Sequence, residues 1–186
     1  MTTWIVIGII VVVVLILIGI YNRLVGLRQR AGQAWSDISV QLKQRHDLVP
    51  NLVETVKGYA SHERGTLEAV VQARNAAVGA SGPAAQAAAE NQLSGALRQL
   101  FALSEAYPDL KANTNFLQLQ SELSDIENKI AASRRFFNNS VSEYNAAIQQ
   151  FPAVLLAGML GFTPRGFFEL DEGERAAVQA APQVKF

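Results

Sequence analysis

Two histidines, His46 and His62, and a few carboxylate clusters are the side chains of this 186-residue chain best suited to catalysis or metal binding. His62-Glu63 opens like a zinc-protease motif, in which two imidazoles one helical turn apart grip the metal and the glutamate acts as base. The residue that should be the second imidazole is Thr66. His46 lies far upstream on a separate expected helix, and zinc sites take three or four protein ligands. Asp125 and Glu127 are two apart, so on a helix they face different sides and do not form an acid–base pair. Asp171-Glu-Gly-Glu174 reads as a solvated charge run. The sequence contains no Gly-x-Ser-x-Gly elbow, Walker A loop or Gly-x-Gly-x-x-Gly turn. It contains no cysteine, which removes disulfides, iron–sulfur clusters and Cys-ligated zinc. The expectation is a non-enzyme with no catalytic residue, no metal ligand and no cofactor.

Other polar and aromatic residues read as structural. Tyr-Asn occurs at Tyr21-Asn22 and again at Tyr144-Asn145. Asn51, Asn138 and Asn139 fall on or beside apolar stripes, where amides can fix the register of packed helices. Trp35 falls on a stripe and is expected in the core. Arg134 and Arg135 interrupt a stripe and are expected to be solvated or ion-paired. Lys+Arg number 16 against 16 Asp+Glu, and this zero net charge argues against a nucleic-acid partner.

The elements that must position these residues begin with a membrane segment. Trp4 to Tyr21, WIVIGIIVVVVLILIGIY, carries no charge. As a helix it spans roughly 27 Å, close to a hydrocarbon core. The Val/Ile run is a poor helix former in water, but lipid forces backbone groups to bond internally. Trp4 and Tyr21 stand at its two ends, where aromatic belts lie. A cleaved signal peptide needs a basic start and a small-x-small site. MTT and YNRLVGL provide neither, so residues 1–3 are a short tail and 4–21 an uncleaved single-pass anchor. Arg23, Arg28 and Arg30 follow the segment, with no Lys or Arg before it. The positive-inside rule then puts the N-terminus outside and the rest of the chain in the cytoplasm.

Residues 22–150 read as long helices. Leu24, Leu27, Ala31, Trp35, Ile38 and Leu42 recur at 3- and 4-residue steps, which continues the anchor helix to about His46. Asp47 is then expected to cap a second helix with Pro50 in its first turn. That helix carries Val49, Leu52, Val53, Val56, Tyr59, Ala60, Leu67, Val70 and Val71, and ends near Gly79. After the Gly79–Pro83 loop, the Ala-rich AAQAAAE has little to pack and is expected to be a mobile start to helix three. Leu93, Leu97, Leu100, Phe101 and Leu103 form that helix's core face, and Tyr107-Pro108-Asp109 ends it. Asn115 to Gln118 has capping-box spacing. Phe116, Leu119, Leu123, Ile126, Ile130, Phe137, Val141, Tyr144 and Ile148 follow, on a helix about 54 Å long. The fold expected is all-α: one transmembrane helix continuing into an elongated antiparallel four-helix, coiled-coil-like bundle.

Residues 151–186 change character. Phe151 to Phe162 is apolar but too short to span a bilayer. It is expected to be a short helix folded back on the bundle, with an interfacial membrane or subunit contact as the alternative. From Pro164 the chain is expected to be irregular. Tyr144, Asn145, Phe151, Pro152 and Phe162 are the candidate interaction residues.

Three blocks carry a family resemblance. AWSDISVQLKQRHDLVPNLVETVKGYASHERGTLEAVVQAR (34–74), LKANTNFLQLQSELSDIENKIAASRRFFNNSVSEYNAAIQQFP (110–152) and AGMLGFTPRGFFEL (157–170) together resemble the signature of the LemA family. The transmembrane start running into YNRLV fits it as well. The resemblance covers almost the whole chain, and Phe137 stands where Tyr would serve as readily. It implies a bacterial, membrane-anchored helical bundle of the inner membrane, related to magnetosome-associated Q-type proteins, with no established enzymatic activity.

Two functions follow as expectations. The first is a non-enzymatic, membrane-anchored helical scaffold that forms homo-oligomers and organises or shapes membrane or membrane complexes. The alternative is an adaptor for a membrane protease or a secretion or envelope machine, with the C-terminal tail as docking element on a membrane-protein partner.

Overall fold

The computed structural model describes residues 1–169, which are all-α with no strand among them. The helices are α1 (Thr2–Lys57), α2 (Arg64–Gly79), α3 (Pro83–Ser104), α4 (Pro108–Lys111), α5 (Thr114–Gln149) and α6 (Val154–Ala157). They form two compact units, one from residues 1–37 and 135–166, the other from residues 38–134 and 167–169. The Asp171–Glu174 charge run lies outside the described residues.

In the first unit α1 and the second half of α5 run antiparallel. Trp35 meets Phe137 with ring centroids 5.3 Å apart, and Arg30 meets Glu143 at 3.1 Å. Leu24 and Leu27 pack with Tyr144, Ala147 and Ile148. The inward stripe of α1 here is Leu24, Leu27, Ala31 and Ala34. Ala34 thus takes the core position expected for Trp35, which is half-buried at the edge of the stripe and covers Phe137. A 3.6-residue period reaches Ala34 from Ala31, and its small side chain allows the two helices to approach. From Trp4 to Ile18 every large apolar side chain is exposed. Among the described residues, α1 is the one helix long and apolar enough to cross a membrane.

In the second unit the rest of α1, α2, α3 and the first half of α5 enclose one core, with α4 closing an end. Leu52, Val56, Val70, Leu93, Leu100, Leu110 and Phe116 are essentially inaccessible there. Burying side chains of this size contributes about 1.5–3 kcal/mol each.

The helix boundaries depart from the sequence reading in three places. First, α1 does not stop at His46: it continues to Lys57 with Pro50 inside it. Proline has no N–H to give the carbonyl four residues back, which is that of His46. Arg74 on α2 supplies the missing donor, its Nε lying 3.3 Å from that oxygen. Asp47, expected as a cap, instead accepts a 2.7 Å hydrogen bond from Lys43 one turn earlier. Second, the break falls at Gly58, where Tyr59 and Ala60 both turn their N–H groups back to the Val56 carbonyl. Tyr59 and Ala60 continue the apolar stripe in sequence, so the periodicity runs straight through this turn. Third, Asn113, not Asn115, caps α5: its Oδ1 accepts the Phe116 N–H at 3.0 Å.

The start of α3 also differs from expectation. Gln86, Ala87 and Glu90 in the Ala-rich stretch are buried. Small side chains let this helix pack closely, and its two polar residues are drawn inward by charged partners.

Candidate functional site

The described chain assembles two polar constellations, one in each unit. The site in the second unit is centred on the Glu90 carboxylate, which is buried. Arg45 and His46 project from α1, while Gln86, Glu90 and Ser94 follow one another at four-residue steps on one face of α3. Glu90 Oε1 lies 2.6 Å from His46 Nε2 and accepts from Gln86 Nε2 at 2.8 Å. Glu90 Oε2 faces Arg45 Nη1 at 3.3 Å. Arg45 Nη2 donates to Ser94 Oγ at 2.7 Å and approaches Glu127 Oε2 of α5 at 3.3 Å. The second N–H of Gln86 is not idle either: Nε2 also reaches the Ala77 carbonyl at 2.9 Å, tying the end of α2 to α3.

This arrangement satisfies a charge in a place that excludes water. Both Arg45 and Glu90 are almost inaccessible, and such a pair holds together only with its remaining donors and acceptors matched. A groove of about 390 Å3 opens beside it, lined by Arg45, Ser94, Arg98, Gln120, Ser124 and Glu127. The Ser94 hydroxyl is engaged by Arg45 rather than by His46, so the geometry is not that of a base-activated nucleophile. The network joins four helices, α1, α2, α3 and α5, and such matched polar groups favour one register.

The second constellation is built by the tail of the first unit. After α6 the chain turns at Gly161, whose φ is +73°, a value that side chains with a Cβ rarely adopt. The Phe162 N–H bonds to the Ala157 carbonyl at 2.9 Å and the Gly161 N–H to the Gly158 carbonyl at 3.2 Å. That is a Schellman turn, and its usual apolar contact is present, since Ala157 and Phe162 are buried in one cluster. Phe162 packs edge-on against Tyr21 at 5.8 Å, with the Arg28 guanidinium 5.0 Å above its ring. Beyond it, Asn145 clamps the Arg165 backbone from both sides, Oδ1 accepting its N–H and Nδ2 donating to its carbonyl, each at 2.9 Å. The Tyr144 hydroxyl donates to the Thr163 carbonyl at 3.0 Å.

The sequence-derived candidates therefore divide. Tyr144 and Phe162 are buried, and Asn145 is half-buried with its amide spent on its own chain. Phe151 and Pro152 face outward. Trp4, Tyr21, Arg23 and Arg30 are exposed on α1, and Arg28 is half-buried against Phe162. The two histidines do not come together as a site: His46 is buried on Glu90, whereas His62 is exposed in the turn before α2. Among the described residues no group of three or more His, Asp or Glu could hold a metal ion. Asn51 and Asn139 are exposed rather than core amides. The buried polar residues are instead Arg45, His46, Gln86, Glu90, Ser104 and Ser140. The signal for the Glu90 network was present as Gln86, Glu90 and Ser94 at four-residue spacing, on a segment otherwise too small to pack.

Outside these sites, Tyr107 donates its hydroxyl to Glu63 Oε1 at 3.0 Å. That acceptor carboxylate holds the phenol above its ordinary range. The Lys43 ammonium beside Asp47 holds its carboxyl below the usual range.

Comparison with known proteins gives a consistent picture. The LemA family model matches residues 34–186. The magnetosome protein MamQ of Magnetospirillum gryphiswaldense is 26% identical over 174 residues, covering 80% of this chain and 64% of its own. Protein LemA of Metamycoplasma hominis is 29% identical over 168 residues, covering 88% of this chain and 75% of its own. Magnetosome protein MamQ 2 of Paramagnetospirillum magneticum is 25% identical, again with 64% of its length covered.

Proposed function

The chain belongs to the LemA family, and we propose that it is a non-enzymatic, single-pass membrane scaffold that self-associates and organises the membrane or the complexes in it. The observation that carries this reading is the continuity of α1. Its exposed apolar stretch runs without a break into the charged, packed part of the same helix. An anchor joined this way confines chains to two dimensions and raises their effective concentration, so that weak lateral contacts become sufficient for assembly. The zero net charge adds little repulsion between copies. The Glu90 network supports a structural role, because its charged groups are matched by one another.

Relatives named as magnetosome proteins favour work at a membrane. The orientation proposed follows the arginines: Arg23, Arg28 and Arg30 on the cytoplasmic side of the inner membrane, with the N-terminus outside. The chain has no native cysteine, so one cysteine at Ser81, in the exposed loop before α3, reports the side directly. Labelling by an impermeant maleimide only after the inner membrane is opened supports the cytoplasmic reading. Labelling once the outer barrier alone is open reverses the orientation. No sedimentation with membranes at all removes the anchor. The adaptor reading gains if a truncation after Gln150 loses a membrane protein that the full chain retains.

A further inference from the structure

We infer that the outward face of the α6 segment is an interfacial membrane contact, a second attachment to lipid beside the transmembrane helix. The inference rests on the anchor reading above and adds a site to it. Residues 151–163 carry no charge, and the segment presents two faces. Ala153, Ala157 and Phe162 turn inward onto Leu24, Leu27 and Tyr144. Phe151, Leu155 and Met159, spaced four apart, turn outward and are 80%, 65% and 86% exposed. Val154 and Leu160 widen the same apolar surface. Large side chains left exposed in such a group mark a contact, because scattered single exposures are ordinary and a contiguous patch is not.

The position of the patch along α1 identifies the occupant. Tyr21 ends the uncharged run, at the level where aromatic side chains meet the lipid headgroups. Phe162 touches Tyr21, and Ile20 and Val25 pack against the cluster that holds Ala153 and Ala157. The segment is therefore fastened at the membrane boundary by its own inward face. The segment belongs to the same compact unit as the exposed apolar stretch of α1. Arg28 stands over Phe162, and Arg23 is exposed one turn from Leu27, which places cationic groups beside phosphate headgroups. An apolar face with basic flanks, lying in the interface plane, is the composition of monotopic membrane contacts. The Schellman turn at Gly161 and the Asn145 clamp on Arg165 hold the segment at that level.

The test uses the full chain in vesicles of phosphatidylcholine and phosphatidylglycerol. Single cysteines at Leu155, Met159 and, as an internal reference, Ile10 are labelled with an environment-sensitive fluorophore. Nitroxide lipids labelled near the headgroup or deep in the tail serve as membrane quenchers, and iodide as the aqueous one. The expected result is blue-shifted emission at 155 and 159, lost to headgroup-level nitroxide and spared by iodide, with Ile10→Cys lost to the deep nitroxide. Quenching of Ile10→Cys by lipid, with 155 and 159 quenched by iodide alone, overturns the contact and leaves the anchor standing. Shielding of 155 and 159 from both lipid and iodide, with self-quenching between labels, assigns the patch to a second copy and also overturns it. An Ile10→Cys label that no lipid quencher reaches removes the anchor, and the inference with it.

Discussion

Arg74 donates its Nε–H to the carbonyl oxygen of His46, the acceptor that Pro50 leaves without a partner inside α1. One side chain from α2 thereby lets the long helix pass through a proline, and it does so one residue from the buried Arg45–Glu90 pair. Helix continuity and the charge network are set at the same turn of α1.

The pair gives a first prediction. Arg74→Ala should destabilise the chain by about 1–3 kcal/mol, the cost of leaving a partly buried acceptor unmatched. In a Pro50→Ala background the restored N–H bonds to His46, and most of that loss should vanish. Denaturant unfolding of the four variants in detergent gives the coupling. Additive effects would show that Arg74 acts elsewhere.

Glu90→Ala should be more damaging, roughly 3 kcal/mol, because it removes the buried carboxylate shared by Arg45, His46 and Gln86 and leaves Arg45 only Ser94 and the half-exposed Glu127. Replacing Arg45, His46 and Glu90 together by apolar residues of similar volume should recover much of this. A triple variant no more stable than Glu90→Ala would mean that packing, not charge matching, dominates there.

Tail attachment is testable by proteolysis at Arg165, the one trypsin site between α6 and Phe168. Asn145→Leu removes both bonds to the Arg165 backbone, and Gly161→Ala introduces a Cβ at positive φ, each at about 1–2 kcal/mol. Both variants should be cleaved at Arg165 faster than the parent chain. Unchanged cleavage would mean that the Phe162 packing and the Tyr144–Thr163 bond hold the tail without Asn145 or the Gly161 turn.

Tyr107 yields a pH prediction. A phenol whose folded value is raised favours its protonated form in the folded state. Its contribution is therefore complete below the unfolded value, about 10, and is lost as pH rises through the higher folded value. The difference between parent and Tyr107→Phe ultraviolet titrations should show a phenol titrating late, and Glu63→Gln should return it towards the ordinary value. A difference curve centred on the ordinary value would dissociate Glu63 from the shift.

Ile130→Asp probes the α5 stripe. Ile130 is 4% exposed, and an unpaired carboxylate there should cost about 3 kcal/mol or more. An unchanged melting temperature would contradict the packing of α5.

The helical class and the α5 stripe were legible because 3.6-residue periodicity is a local signal: Phe116, Leu123, Ile126, Ile130, Phe137, Val141, Tyr144 and Ile148 all face inward. The long apolar start of α1 was legible because an uncharged run needs no partner to be seen. The passage of α1 through Pro50 was not legible, because the donor that permits it, Arg74, lies on another helix. Nor was the break at Gly58, since Tyr59 and Ala60 keep the stripe's phase. Of the sites, Tyr144-Asn145 and the 151–162 tail stand out in sequence, but the pairing of Asn145 with Arg165 depends on the chain turning back twenty residues later. The Glu90 network was hidden in an Ala-rich stretch whose small residues disguise a buried polar face.

Self-association of a membrane-anchored scaffold is read out by crosslinking in native membranes at native expression. Single cysteines at Ser36, Ser121 and Ser142, all exposed, sample both long helices. Crosslinked species larger than the monomer are expected from at least one position, lost when the protein is diluted into excess lipid. A strictly monomeric chain at every position, in undiluted membranes, would contradict it.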